Sequence, residues 1–410
     1  MKTLSQAFFL SLVFVMAQSA QAQATKWRTI SEDAISLYNK GEYDRAVAAV
    51  KKSLMVAEKE FGPSHPNTAT SLNNLAELYR GHNKYAEAEP LYKRALAIRE
   101  KFFGPNHPLV ATSLNARAEL YRAQKRFAEA EPLYKRAVAI REKSLRPNHP
   151  DVAQTLNNLA ELYCVQDQYA PAKALYERLL PIREKVFGSN HPSMAAGLHN
   201  LGLIYQTEGR YAQAEPLYKR VLAIREKALG TSHPGVAQDL STLAELYHAQ
   251  GRHELAKPYF ERALVIREKV LGVRHPDVAN SFGRLAELYR AQRQYAKAQP
   301  LYERSLAILE KTPGANNLDI ATILSNLAFV YHQQGLHTQA ERLYKRALAI
   351  SERWLGADHP NVKLSRDNLA KLYMAMDQKN SDEDVGKRVA RFSPVHLIDT
   401  LVGRSNNSRE

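Results

Sequence analysis

Histidine is the residue type that most invites a chemical reading of this sequence. Fourteen histidines in 410 residues could supply metal ligands. Seven of them precede proline, at positions 65, 107, 149, 191, 233, 275 and 359. The step is 42 residues, and it doubles once across Asn317-Leu318, where the pair is missing. Units that repeat at such an interval stack about one helix diameter apart, ~10 Å, so these rings cannot converge on one ion. The pairs therefore read as structural. His253-Glu254 begins like the His-Glu-x-x-His motif of zinc proteases, but Lys257 stands where the second ligand is required. No phosphate-cradling Gly-rich loop, nucleophile elbow or Cys-x-x-Cys pair occurs. The single cysteine, Cys164, falls in a helical pattern and reads as a packing residue. Carboxylates such as Glu89, Glu100 and Glu131 sit at repeat positions beside Lys and Arg, where they balance charge. The sequence thus assigns no catalytic residue, metal ligand or cofactor, and no small-molecule substrate. It argues against an enzyme.

The elements that carry these residues follow from the repeat. Ser71 to Tyr79 (Ser-Leu-Asn-Asn-Leu-Ala-Glu-Leu-Tyr) recurs almost unchanged as Thr155 to Tyr163. Ala88 to Ala95 recurs as Ala130 to Ala137. A period between 20 and 50 residues marks a solenoid, a propeller or an array. Ala69, Leu72, Leu75, Ala76 and Tyr79 step by three and four, as do Tyr85, Ala88, Leu91, Tyr92, Ala95, Leu96 and Ile98-Arg99. These are helical stripes, so each repeat is two helices, at about 67–81 and 84–102, joined antiparallel by the short turn His82-Asn83. Gly104 suits a left-handed cap ending the second helix, and Pro108 opens the next, where its missing N–H costs nothing. His107, before the proline, marks the break. Asp151 and Asp277 suit the positive end of the helices they begin. Alanines 76, 88 and 95 fall where helices cross closely. Pro90, recurring at 132, 216, 258 and 300, predicts a mild bend, whereas Pro181 falls mid-helix and predicts a kink in the repeat at 151–192. Pro171 also stands outside the pattern.

The spacing of Leu72, Leu75-Ala76, Tyr79, Ala88, Tyr92 and Ala95 resembles the tetratricopeptide repeat (TPR). The 42-residue period, Leu-Asn-Asn-Leu-Ala, Ala-Glu-Pro-Leu-Tyr-Lys-Arg-Ala and Gly-x-x-His-Pro resemble its kinesin light chain type. The resemblance divides the chain into a degenerate first unit at 25–63, seven units at 64–360 and a closing helix at 361–376. It implies an all-α fold, a right-handed α-solenoid of tandem helical hairpins, with first-helix residues lining a concave groove for a peptide or protein partner. By register the groove carries Asn73, Asn74, Asn115, Asn157, Asn158, Asn200, Asn326 and Asn368. A side-chain amide both donates and accepts, so it can hold a peptide backbone of any sequence. Arg80, Arg122 and Arg290 lie further along the same face and suit acidic groups, with Glu77, Glu119, Glu161, Glu245 and Glu287 interleaved. The asparagines give way to Ser241-Thr242 and Gly283-Arg284, and His199, His248 and His332 join the face. The peptide site is therefore expected in the first half. The other reading is that these asparagines bridge neighbouring helices, because buried polar groups need partners.

The ends and the charge complete the reading. Lys2, the apolar run Ala7–Met16 and the small-x-small sites Ala20-Gln21-Ala22 and Ala22-Gln23-Ala24 give residues 1–24 the layout of a secretory signal peptide. An exported protein, periplasmic or secreted, is expected. No other segment is apolar enough to span a membrane. The tail, 377–410, leaves the repeat and mixes charge with a short apolar stretch, Val395–Val402. The net charge of +15 becomes +14 without Lys2 and is spread over the repeats, in clusters such as Lys93, Arg94, Arg99, Glu100 and Lys101. Spread charge reads as a solvated helical face and not as a nucleic-acid site. Binding of a polyanion or a membrane surface is the alternative function.

Overall fold

Two turns of different construction alternate along the chain, and together they set the fold. The structure is a computed structural model that describes residues 26–391, apart from 147 and 315, with side chains described for 27–377. The expected signal peptide and the end of the tail lie outside the described residues. Contacts divide the chain into two units, the first ending at Arg210 and the second beginning at Tyr211. The first holds the hairpins α1 (Lys26–Asn39) with α2 (Tyr43–Phe61), α3 (Pro66–Gly81) with α4 (Tyr85–Phe103), α5 (Pro108–Ala123) with α6 (Phe127–Ser144) and α7 (Pro150–Val165) with α8 (Tyr169–Phe187), and then α9 (Ser193–Thr207). The second begins with α10 (Tyr211–Leu229). It continues with α11 (Pro234–Ala249) and α12 (His253–Leu271), α13 (Pro276–Ala291) and α14 (Tyr295–Glu310), α15 (Asn317–Gln333) and α16 (His337–Leu355), and α17 (Pro360–Arg391). Among the described residues there is no strand. The odd-numbered helices from α3 to α15 are called A helices below, and their even-numbered partners B helices.

The turn inside each hairpin is a left-handed reversal. Asn83, Lys125, Asp167 and Arg293 adopt φ of 57–60°, and Gly41, Gly209, Gly251 and Gly335 take the same register position. The N–H after it returns to the helix: Lys84 N bonds the Tyr79 carbonyl at 2.8 Å and Arg126 N that of Tyr121 at 2.8 Å. This closure satisfies the last carbonyls of the A helix. Lysine and arginine pay steric strain at such a position, which glycine does not.

The turn between hairpins uses glycine differently from the sequence expectation. Gly104 has φ +84°, as a left-handed cap would, but ψ is 162° and not near 50°. Gly62, Gly188, Gly272 and Gly356 match it. That region of backbone space is open essentially to glycine alone. Where Arg146 replaces the glycine, α6 stops at Ser144 and Leu145 is extended. The histidine that follows does more than mark a break. Its ring Nδ1 accepts the backbone N–H two residues on, at 3.1 Å for His65 and Asn67, 3.2 Å for His107 and Leu109, and 3.0 Å for His233 and Gly235. An unprotonated imidazole thus fills the role that Asn or Asp usually plays at a helix start. Burial lowers the pKa of His65 and, with help from Arg99, that of His107, which favours the accepting form. Where His-Pro is missing, Asn316 Oδ1 accepts from Leu318 N at 3.0 Å, and α15 begins one residue early in register.

Packing follows the helical stripes. Tyr92, Tyr134, Tyr176, Tyr218, Tyr302 and Tyr344, at one register position of the B helices, are all buried, and so are Ala76, Ala88 and Ala95. α8 runs through Pro181 with the same 19 residues as α4, and Pro171 lies in its first turn, where no N–H is needed. One expectation needs correction. The last helix passes Met376 and continues to Arg391. Glu383 and Asp384 precede Lys387 and Arg388 by four residues, a spacing that favours helix beyond the repeat pattern.

Candidate interaction surface

In the first unit the A-helix asparagines are engaged with neighbouring side chains. Asn73, Asn74, Asn115, Asn157 and Asn158 are buried. Asn73 Nδ2 donates to Ser113 Oγ at 3.2 Å, joining α3 to α5. Asn158 Nδ2 donates to Asn115 Oδ1 at 3.1 Å, joining α7 to α5. Asn157 Nδ2 bonds Glu161 at 2.7 Å on its own helix, and the half-buried Asn200 donates to the Tyr176 hydroxyl at 2.8 Å. The bridging role weighed above is thus the one visible for Asn73, Asn115 and Asn158. Buried acceptors Asn73 Oδ1 and Asn157 Oδ1 have no partner among the described residues. The arginines of this face are also engaged. Arg80 pairs with Glu77, and Arg122 with Glu119 at 2.7 Å and Glu161 at 3.8 Å. From behind, the Tyr92 hydroxyl donates to Glu77 at 2.7 Å and the Tyr134 hydroxyl to Glu119.

The sequence places Arg99 both on a helical stripe and in a charged cluster, and it assigns no acceptors to it or to its register equivalents. Arg99 was grouped with solvated charge, but its side chain is buried, while Lys93, Arg94 and Lys101 are exposed. Its guanidinium donates to Ser113 Oγ at 2.8 Å, the Leu109 carbonyl at 3.2 Å and Thr70 Oγ1 at 3.3 Å, with no carboxylate in reach. Burial lowers its pKa to about 10, so it remains charged at neutral pH. The signal was present in the sequence: 88, 92, 95 and 99 continue one helical stripe.

In the second unit the same face carries two cavities. Between α11 and α13 lies a cavity of about 180 Å³, lined by Gln238, Ser241, Arg267, Asn280 and Arg284. Between α13 and α15 lies one of about 260 Å³, lined by Asn280, Gly283, Ser305, Leu309, Asp319 and Ile323 among others. The cause is local. Ser241 and Gly283 occupy the register position of Asn73, so the amide that bridges A helices in the first unit is absent. A Cβ on Gly283 would lie 2.9 Å from Ile323 Cδ1, so even alanine would force movement there.

The tetratricopeptide repeat model matches residues 34–101, 83–143, 109–185, 151–227, 193–269, 235–311 and 319–381. The chain belongs to the tetratricopeptide repeat family. TPR repeats generally serve as protein-interaction scaffolds. Among solved structures, the nearly identical TPR-like repeats of a kinesin light chain-like protein from Podosopora anserina are 32% identical over 50% of this chain and 97% of theirs, with a TM-score of 0.45. BtubC (BKLC) from P. vanneervenii is 24% identical over 56% of this chain and 92% of its own, with a TM-score of 0.50. The STAND protein with a TPR sensor from Pyrococcus horikoshii is 16% identical over 94% of this chain and 55% of its own, with a TM-score of 0.60, a likeness of fold alone. No curated protein matches the sequence.

The TPR scaffold also uses much of its basic charge internally. Arg94 pairs with Glu58 and Arg136 with Glu100, both at 2.7 Å, Arg262 with Glu226 at 2.6 Å and Arg304 with Glu268 at 3.0 Å. Each pair ties a B helix to the B helix before it. Pairs this exposed contribute only ~0–1 kcal/mol each, but they leave less free cation for a polyanion. Of the histidines on the A face, His248 Nδ1 lies 3.2 Å from His253 Nδ1. Among the described residues no group of three His, Cys, Asp or Glu side chains is placed to hold a metal. Among them, too, no helix is long and apolar enough to cross a membrane.

Proposed function

We propose that this TPR protein is a non-catalytic scaffold that seats a protein or peptide partner on the A-helix face of its second unit. The observation that carries this reading is the pair of cavities beside Ser241 and Gly283. Asn73, Asn74, Asn115, Asn157 and Asn158 then serve mainly to bind A helices together, and Asn200, Arg80 and Arg122 to complete the packing of that face. The test compares two variants as bait against the native envelope fraction, with circular dichroism as the control for folding. Asn280→Arg with Asn326→Arg crowds the second-unit face and should abolish capture of the partner. Asn73→Ala with Asn115→Ala and Asn157→Ala should melt earlier but still capture it. The reverse pattern would move the site to the first unit.

We infer as well that the protein is exported, on the layout of residues 1–24. Amino-terminal sequencing of the mature protein should start at Gln23 or Thr25. Recovery of a chain that keeps the whole leader would refute export by this route.

A further inference from the structure

Two B helices of the second unit, α14 and α16, lack a guanidinium that α10 and α12 keep, and beside α14 two of the three positions that would face it are still polar. The register position of Arg99 is arginine again at 141, 183, 225 and 267, and it becomes leucine at Leu309 and serine at Ser351. In the first unit this arginine reaches between two A helices. Arg99 bonds Thr70, Leu109 and Ser113, and Arg141 bonds Thr112 at 3.4 Å, the Asp151 carbonyl at 2.8 Å and Thr155. In the second unit Arg267 bonds Gln238 at 3.0 Å and Ser281 at 2.7 Å. Leucine has nothing to donate. By register, the counterparts of Thr70, Leu109 and Ser113 beside Leu309 are Asn280, Asp319 and Ile323. All three line the 260 Å³ cavity together with Leu309.

The chemistry of that cavity suits a cation with an apolar stem. Ile323 and Leu309 supply apolar wall. Asn280 and Asp319 offer acceptors that no other described side chain or backbone group engages. Of the charged groups lining the space, Asp277, Glu287 and Asp319 are acidic and Arg284 alone is basic. Arg290 holds Glu287 at 2.6 Å, and Glu245 draws the Arg284 guanidinium to 3.4 Å. The lining is therefore net acidic on a chain of net charge +15. Its volume is ample, because a cavity of about 150 Å³ already admits a benzene-sized group.

We propose that this cavity receives an arginine side chain of the partner, which supplies from outside the guanidinium that Arg99 and its register equivalents supply from within. Arginine is preferred to lysine because its planar fork can reach separated acceptors at once, and the aliphatic stem covers Ile323 and Leu309. This deepens the scaffold reading and depends on it for the partner's place.

The probe is the capped tripeptide acetyl-Gly-Arg-Gly-amide, with citrulline or lysine replacing arginine as controls. Citrulline keeps the shape and removes the charge. The readout is the Ile323 δ1-methyl resonance of the whole protein. The arginine peptide should shift it saturably and bind about tenfold or more tightly than the citrulline peptide, the difference a charge-assisted hydrogen bond makes. Lysine should fall between them. Leu309→Arg should restore the internal guanidinium and abolish the response. If that variant fails to fold, Asp319→Asn should weaken the arginine peptide and leave the citrulline peptide unchanged. Equal binding of arginine and citrulline, no saturable shift, or an undiminished response in Leu309→Arg or Asp319→Asn would overturn the proposal. Capture of the native partner by folded Leu309→Arg would overturn it too and leave the scaffold reading intact, whereas capture by the crowded Asn280→Arg, Asn326→Arg bait would overturn that reading itself.

Discussion

Truncating Tyr92 to alanine should destabilise the first unit by about 3–5 kcal/mol, the range for losing a buried aromatic ring. The ring is fully buried among Ala76, Ala88, Ala116 and Leu120. Three of those neighbours are alanines, which have no side chain to collapse into the space left behind. The hydroxyl also donates to Glu77 at 2.7 Å, so truncation removes one support from the Glu77–Arg80 pair. Tyr92→Phe should cost only about 1 kcal/mol, because Glu77 keeps Arg80. Hydrogen exchange is the suitable measurement. Stability in a repeat array is a sum of unit and interface terms, so the loss should concentrate in α3 to α6. A Tyr92→Ala protein whose α3 and α4 amides keep native protection would show that this ring is not the centre of the hairpin.

Asp239 should make the second unit sensitive to pH. It is buried on α11, with Oδ1 2.7 Å from the Arg225 guanidinium and Oδ2 without a partner. Burial raises its pKa from 3.8 to about 6, against the pull of Arg225. A folded pKa raised above the unfolded value contributes stability that is complete below about pH 4 and lost as pH rises through about 6. At pH 8 the ionised carboxylate therefore works against folding. Asp239→Asn should be more stable than wild type at pH 8 by ~1–3 kcal/mol, and the difference should vanish near pH 4. Comparing the two proteins at each pH cancels the surface carboxylates, such as Glu215, whose paired form fails in acid. Thermal melts across that range decide it. An asparagine variant that melts below wild type at pH 8 would mean that the ion pair with Arg225 outweighs burial.

The helices, their pairing and their turns were legible in the sequence because a 42-residue period repeats the same local signals. Stripes at steps of three and four, Gly before His-Pro and Pro at the first helical position each act within a few residues, so sequence alone specifies them. Those same signals failed where the register carried no instruction. α17 continues past the last repeat on charge spacing alone, and the cap of α15 moved from histidine to Asn316.

The amino-acid sequence by itself determined that this protein is a row of helical hairpins, that its alanines and tyrosines form the packing layer, and which residues share the A-helix face. Only the tertiary structure decided which residues of that face are engaged by neighbouring helices and which line a cavity. Asn73 and Asn158 have the same chemistry whether they hold a peptide or a neighbouring helix, and only the distances to Ser113 and Asn115 distinguish the two. Arg99 belongs in sequence both to a helical stripe and to a charged cluster, and its acceptors on two A helices decide between the two. Gly283 and Leu309 look like losses in register, and they come together on one cavity wall, where the first helix has no side chain and the second has no guanidinium. Local periodicity encodes the helices, but the space between them depends on pairs of residues about 40 positions apart, and that pairing exists only once the hairpins are packed.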